Sequence, residues 1–141
     1  MKRLSTDTHY DLHIPARHLL QGQAAYYVLT GAWALVDIGS FQKVTGPKVD
    51  TWLVKMVGML VVVIGAVLGL ASRRRGVSPE IATLAAGSAA AFTSIDVFYV
   101  ARRRISPVYL LDALAEVLLM AAWGLALRRT GTQPASNITV H

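Results

Sequence analysis

Two carboxylates inside an apolar segment are the first residues in this sequence with the potential for chemistry. Asp112 and Glu116 lie in ARRRISPVYLLDALAEVLLMAAWGLALRR, residues 101–129, whose interior is otherwise mostly apolar and whose ends carry arginines. A carboxylate is among the least favourable groups to place in hydrocarbon, so one found there indicates a functional or pairing role. The two residues are four apart and therefore share one face of a helix.

Three further ionisable residues occupy comparable positions in other apolar runs. Counted from the ends of the apolar runs, all five ionisable residues fall in the same half of a membrane. Asp112 and Glu116 lie roughly 7 and 13 Å from the start of their helix. Such residues are expected to face the protein interior, where they pair with each other or contact a ligand. The sequence therefore predicts a ligand-binding site or charge network made of Asp37, Lys55, Asp96, Asp112 and Glu116.

Two interpretations of this network stay open. In the functional one, the residues line a cavity that opens to the outer side and takes a proton, a cation, an amine or a polar lipid-like ligand. Four acids face one base, so at least one carboxyl group lacks a strong partner, and Glu116, the deepest, is expected to carry a proton part of the time. In the structural interpretation, Lys55 pairs with Asp112 or Glu116 and fixes the packing of the helices.

The composition places these residues in a membrane protein. The chain has 141 residues, of which 54% are hydrophobic and 16% charged, whereas soluble domains have about 25% charged residues. The net charge of +6 comes from short arginine clusters beside apolar runs, such as 73–75 and 102–104, a pattern typical of membrane topology and not of nucleic-acid binding. The absence of cysteine excludes disulfide and thiolate chemistry.

Four apolar runs have the length needed to cross a hydrocarbon core of about 30 Å. We therefore predict an all-α integral membrane four-helix bundle at residues 19–129, with spans near 19–38, 51–71, 80–100 and 107–127. A polar tail, 1–18, precedes the bundle and a disordered tail, 130–141, follows it. AWALVDIG (32–39) can be laid over AFTSIDVF (91–98), which favours two tandem helical hairpins, with chance similarity as the alternative.

The distribution of positive charge predicts the orientation of the chain. With the N-terminus inside, the inner segments hold eight lysines and arginines and the outer segments hold five, as counted along the sequence. Because cytoplasmic loops carry the excess of positive charge, we expect a multi-pass protein of the bacterial inner membrane with both termini cytoplasmic.

Other residues in the apolar runs are expected to serve helix packing. Gly58, Gly65 and Gly69 form a small-residue face that should meet another helix closely, either within the chain or in a homo-oligomer or larger membrane complex. Tyr26 and Tyr27 are interpreted as packing residues, with cavity lining as the alternative.

No nucleotide loop, serine elbow or zinc motif occurs, so we predict no catalytic residue, metal or cofactor, and enzymatic activity is disfavoured.

Two segments carry a resemblance to known proteins. FQKVTGPKVDTWLVKMVG (41–58) and SPVYLLDALAEV (106–117) resemble segments of small uncharacterised bacterial membrane proteins with four predicted spans, and the overall layout loosely resembles DoxX-like and EXPERA-type proteins. EXPERA proteins bind sterol-like or amine ligands through acidic residues in a four-helix bundle. The resemblance would direct attention to the four acids Asp37, Asp96, Asp112 and Glu116, but transfers no role to any of them.

The leading hypothesis for function is a small membrane protein that binds or transports a small cation, amine or lipid-like ligand in an acidic intramembrane cavity. The alternative is a non-catalytic structural or assembly subunit of a larger membrane complex. Either function requires the lipid bilayer as a partner, and neither involves nucleic acid.

Overall fold

The computed structural model describes residues 16–130 of the chain, and these residues form five helices and no strand. The predicted all-helical class is confirmed. The predicted C-terminal tail from residue 131 and residues 1–15 of the predicted N-terminal tail lie outside the described residues. In chain order the helices are α1 (Ala16–Val36), α2 (Ile38–Thr45), α3 (Thr51–Ala71), α4 (Pro79–Ala101) and α5 (Tyr109–Thr130).

Three of these helices are long and apolar enough to cross a membrane. They are α3, α4 and α5, and they fall on the predicted spans 51–71, 80–100 and 107–127. α1 has a similar length, 21 residues, but is not among the three. Its first half is less apolar, because it contains Arg17, His18, Gln21 and Gln23.

The three apolar helices direct most of their side chains outward. Only 17%, 22% and 17% of the most apolar 18-residue stretches of α3, α4 and α5 are buried inside the protein. Large exposed side chains such as Leu60, Phe98 and Leu118 cover these outer faces. A soluble protein does not expose continuous apolar faces of this kind, so the surface is suited to contact with a lipid bilayer.

The region after α1 differs from the expected loop. The hydropathy of the sequence predicts a first span that extends to residue 38, whereas α1 ends at Val36 and a short helix, α2, begins at Ile38. Asp37 separates the two helices because its carboxylate accepts a hydrogen bond of 2.9 Å from the backbone N–H of Ser40, which caps α2. α2 ends at Gly46, whose φ of 88° lies in the left-handed region that glycine adopts without strain.

The long helices associate in two pairs. α1 packs mainly against α3 and α4 mainly against α5, with smaller contacts between α1 and α5 and between α3 and α4. Leu20 and Tyr27 of α1 meet Leu68 of α3, Ala85 of α4 and Trp123 of α5 in a buried cluster. This cluster joins the two pairs and fixes the face that α1 presents to α4 and α5.

Glycines bring the backbones of α1 and α3 into contact. A Cβ atom on Gly31 would lie 2.6 Å from the carbonyl oxygen of Gly58, and one on Gly65 would lie 2.9 Å from Val28 Cγ2. A Cβ on Gly69 would be 3.6 Å from Ala24 Cβ, also on α1. The face predicted for close helix contact, Gly58, Gly65 and Gly69, is therefore covered by α1 of the same chain and is not available to a homo-oligomer or a larger complex.

Candidate functional site

Three of the five predicted site residues lie together between α4 and α5. Asp96 is near the end of α4, and Asp112 and Glu116 are in the first two turns of α5. The short connection between these helices makes them antiparallel neighbours, so the end of one lies beside the start of the other. Glu116 is 1% exposed and Asp96 6%, whereas Asp112 is half-buried.

Two consecutive tyrosines of α1 bind two of these carboxyl groups. Tyr27 Oη donates a hydrogen bond of 3.0 Å to Glu116 Oε2. Tyr26 Oη donates a short hydrogen bond to Asp112 Oδ1. A hydroxyl donor satisfies a buried carboxyl oxygen without supplying a positive charge, so α1 provides hydrogen bonds to this site and no counter-ion.

A buried amide fixes the position of Tyr27. Gln23 Nε2 donates to Tyr27 Oη at 3.1 Å and to the carbonyl oxygen of Ala85 at 2.8 Å. Trp123 Nε1 donates to Gln23 Oε1 at 2.9 Å. These bonds connect α5, α1 and α4, and they fix the rotamer of Tyr27, whose hydroxyl donates to Glu116.

Asp96 is the carboxyl group whose bonding is incomplete. It interacts electrostatically with the neighbouring Asp112, and Asp96 Oδ2 is buried with no hydrogen-bond partner. Thr93 Oγ1, one turn earlier on α4, is also buried without a partner. Buried polar atoms are nearly always hydrogen-bonded, so the two oxygens give this face of α4 acceptor capacity that no described side chain uses.

Aromatic rings line the same region. The rings of Tyr27 and Phe92 meet edge to face, with centroids 5.6 Å apart and planes at 88°. Tyr26 and Tyr27 are neighbours, with centroids 6.0 Å apart. Aromatic faces beside carboxylates form the combination that attracts organic cations, because ring and carboxylate both present negative potential.

The structure does not bring the other two predicted residues into the site. Asp37 is exposed and occupied as the cap of α2, where the hydrogen bond from Ser40 N–H holds the pKa of its carboxyl below the usual value. Lys55 is exposed on α3, while Asp112 and Glu116 take tyrosine hydroxyls as partners. The charge network predicted around Lys55 is therefore not assembled, and the aspartates matched in the internal repeat, Asp37 and Asp96, have different environments.

Lys48, in the connection between α2 and α3, lies beside the first residue of α5, three residues before Asp112. Its Nζ donates to the carbonyl oxygen of Thr45 at 2.9 Å and lies 5.1 Å from the ring centroid of Tyr109, at the start of α5. Partial burial lowers the pKa of the Lys48 amine. Lys48 forms no ion pair with the three carboxyl groups within the described residues.

The three carboxyl groups are not arranged as a metal site. Within residues 16–130, no group of three or more histidine or acidic residues is placed to hold one metal ion. His18, in the first turn of α1, contacts Gln21, with Nδ1 3.2 Å from Oε1.

Four residues of α1 and α5 complete the site without being predicted as site residues. Sequence alone favours packing for Tyr26 and Tyr27, with cavity lining as the alternative, and it does not single out Gln23 or Trp123. A usable signal was present: Gln23 is a polar residue in a helix that needs an apolar face, and it precedes Tyr27 by four residues, one helical turn. The contact between this turn and Glu116 could not be derived from spacing.

No family model, curated protein or solved structure matches the chain. The resemblance to DoxX-like and EXPERA-type proteins stays a prediction.

Proposed function

We propose that this protein is an integral membrane four-helix bundle that binds a small cation between α1, α4 and α5, with a protonated amine as the favoured ligand. α1, α3, α4 and α5 would cross the bilayer, and both termini would be cytoplasmic. The observation that carries the proposal is the buried, unpartnered Oδ2 of Asp96 beside the carboxyl group of Asp112.

The charge of the site supports a positive ligand. Asp96, Asp112 and Glu116 lie close enough to interact electrostatically. Tyrosine hydroxyls bind Asp112 and Glu116, and within residues 16–128 no lysine or arginine is a hydrogen-bond partner of any of the three. Neighbouring carboxylates repel each other when both are ionised, and a bound cation or a shared proton removes that repulsion. Asp112, the half-buried member, provides the side from which a ligand reaches the cluster.

The side chains around the three carboxyl groups favour an ammonium group as the ligand. An ammonium ion donates several hydrogen bonds, which would satisfy Asp96 Oδ2 and Thr93 Oγ1 together. The rings of Tyr26, Tyr27 and Phe92 would face its alkyl groups or its charge. A metal ion would instead need several oxygen ligands converging on one point.

A structural role is the second candidate, because two of the three carboxyl groups already have hydroxyl partners. In that role the network only fixes the packing of α1 against α5, and the protein serves as a subunit of a larger membrane assembly. The two functions differ in one measurable respect: a packing network does not require a ligand of defined mass.

The first experiment is native mass spectrometry of the full-length protein, released from its own membrane in mild detergent. We expect a reproducible additional mass that is absent from Glu116→Gln and Asp96→Asn. Asp37→Asn is the matched control, because it removes one carboxylate that is exposed and outside the site. A defined larger assembly with no small-molecule mass would favour the structural role.

A titration tests the ligand class when the natural ligand is lost during purification. Methylammonium chloride should raise the melting temperature of the protein in a saturable way, and sodium chloride at equal ionic strength should not. Stabilisation by a ligand at 100 times its Kd corresponds to about 2.7 kcal/mol, which a melting experiment detects easily. Identical responses of the wild type and Asp96→Asn, both folded, would refute binding at this site.

A further inference from the structure

A second surface of unusual composition lies at the opposite end of the long helices, around the turn between α3 and α4. A cleft of about 530 Å³ opens there between the last turns of α3 and the first turn of α4. Its wall includes Val67, Leu70 and Ile81, and Arg74 and Arg75 stand at its polar edge. The cleft is therefore apolar along the helices and positively charged at the turn.

An adjoining cleft extends this surface towards α1 and α5. It has a volume of about 380 Å³ and shares Arg74 with the first cleft. Arg17 of α1 lines it from the other side, and Leu20 and Trp123 are among its apolar lining residues. Arg74 therefore lines both clefts. Each cleft also has apolar lining residues and a second arginine, Arg75 in the first and Arg17 in the second.

The arginines of this surface lack carboxylate partners within the described part of the chain. No ion pair there involves Arg17, Arg74 or Arg75, and all three side chains are exposed. The acid nearest to Arg74 and Arg75 along the chain, Glu80, is exposed in the first turn of α4. Guanidinium groups bind phosphate oxygens in a planar, bidentate geometry, so this end of the protein is complementary to a phosphate group.

We infer that these clefts bind an anionic phospholipid, with its phosphate at Arg74 and an acyl chain along Val67, Leu70 and Ile81. α3 ends at Ala71, so Arg74 lies just beyond a span of 21 residues, at the level where lipid phosphates are found. Free phosphate would use the arginines and leave the apolar wall empty, whereas a phospholipid uses both. The volumes suit this ligand, because sites for small molecules measure roughly 300–1,000 Å³.

The experiment measures lipid binding by the full-length protein in detergent, with the anionic lipid phosphatidylglycerol and the zwitterionic lipid phosphatidylcholine as probes. Native mass spectrometry counts bound lipid as a function of its concentration. We expect tighter binding of phosphatidylglycerol, and about fivefold weaker binding after Arg74→Gln, which corresponds to the loss of one arginine near the membrane surface. Arg73→Gln is the matched control: it removes the same charge from the same turn but lines neither cleft.

A second variant separates a phospholipid from a free phosphate. Val67→Trp fills the apolar wall of the larger cleft without changing any charge, and it should weaken phosphatidylglycerol binding as strongly as Arg74→Gln does. Val67 is 37% exposed on an outer face of α3, so the larger ring can be accommodated without disturbing the core. Competition by inorganic phosphate at equal potency would show that the arginines bind phosphate alone.

Three outcomes would overturn the inference. Equal loss of binding in Arg73→Gln and Arg74→Gln would show a diffuse attraction to the arginine cluster instead of a site. Equal binding of the two lipids would show that the net negative charge of the lipid does not contribute to binding. Unchanged binding in both Arg74→Gln and Val67→Trp would show that the lipid lies elsewhere.

Discussion

Tyr27 of α1 donates a 3.0 Å hydrogen bond to Glu116 of α5, 89 residues further along the chain. The bond joins the α1–α3 pair to the α4–α5 pair at a position where both residues are 1% exposed. Gln23 Nε2 donates a hydrogen bond to the same tyrosine hydroxyl and fixes its position. Glu116 is therefore positioned by Tyr27, with no basic partner in the described network. The relationship explains how an acid can occupy the interior of these apolar helices.

Removing the hydroxyl of Tyr27 should destabilise the protein. Tyr27→Phe leaves Glu116 Oε2 buried without its donor, and an unsatisfied buried group costs about 1–3 kcal/mol. Unfolding in detergent, followed by circular dichroism, should show a loss of this size. Tyr99→Phe, which removes an exposed hydroxyl, should change the stability little; an equal loss in the two variants would contradict the role given to the bond.

The contact between α1 and α3 should be sensitive to a single methyl group. Gly31→Ala places a Cβ 2.6 Å from the carbonyl oxygen of Gly58, so the helices must separate, and overpacking of this kind costs about 1–3 kcal/mol. Gly87→Ala is the control, because a Cβ there meets nothing within 4 Å and alanine favours the helix by up to about 1 kcal/mol. Melting temperatures should move in opposite directions. A Gly31→Ala variant as stable as the wild type would contradict the close approach of these backbones.

The stability of α2 should depend on pH through Asp37. The hydrogen bond from Ser40 N–H lowers the pKa of Asp37 in the folded protein, so its contribution is fully present above the ordinary aspartate pKa. The contribution is lost as pH falls through the lower, folded-state value, when the protonated side chain becomes a weaker acceptor. Hydrogen exchange of the α2 amides, corrected for the intrinsic pH dependence, should report this loss. The variant Asp37→Asn keeps a capping side chain but does not titrate, so its α2 should show no such acid transition.

Cysteine labelling can establish the orientation and the fourth span, because the chain contains no cysteine of its own. In intact cells, a membrane-impermeant maleimide should label Lys43→Cys, whereas Arg17→Cys and Arg75→Cys should react only after permeabilisation. The reason is the proposed crossing by α1, which puts residues 17 and 43 on opposite faces. Labelling of Arg17→Cys and Lys43→Cys from the same side would show that α1 does not cross the bilayer.

Much of the architecture follows from the sequence, since hydropathy is a local property. Runs of apolar residues about 20 long must satisfy their backbone groups internally when placed in lipid, which dictates helices at 51–71, 80–100 and 107–127. Ser78 and Pro79 mark the start of α4 for an equally local reason, because Ser78 accepts a hydrogen bond from Ile81 N–H. The acids worth examining were also visible as charged residues in apolar runs.

The tertiary structure decided which of those acids belong together. By position along the sequence, Asp37 and Lys55 fall in the same half of a membrane as Asp96, Asp112 and Glu116, but position along a helix does not determine the direction in which a side chain points. Direction depends on helix rotation, and rotation is set by packing: the glycine contact between α1 and α3 and the cluster around Trp123 turn Tyr26 and Tyr27 towards α5. The sequence by itself therefore determined a helical chain with ionisable groups at one end, and only the packing of the helices selected the three carboxyl groups and the two tyrosines that form the site.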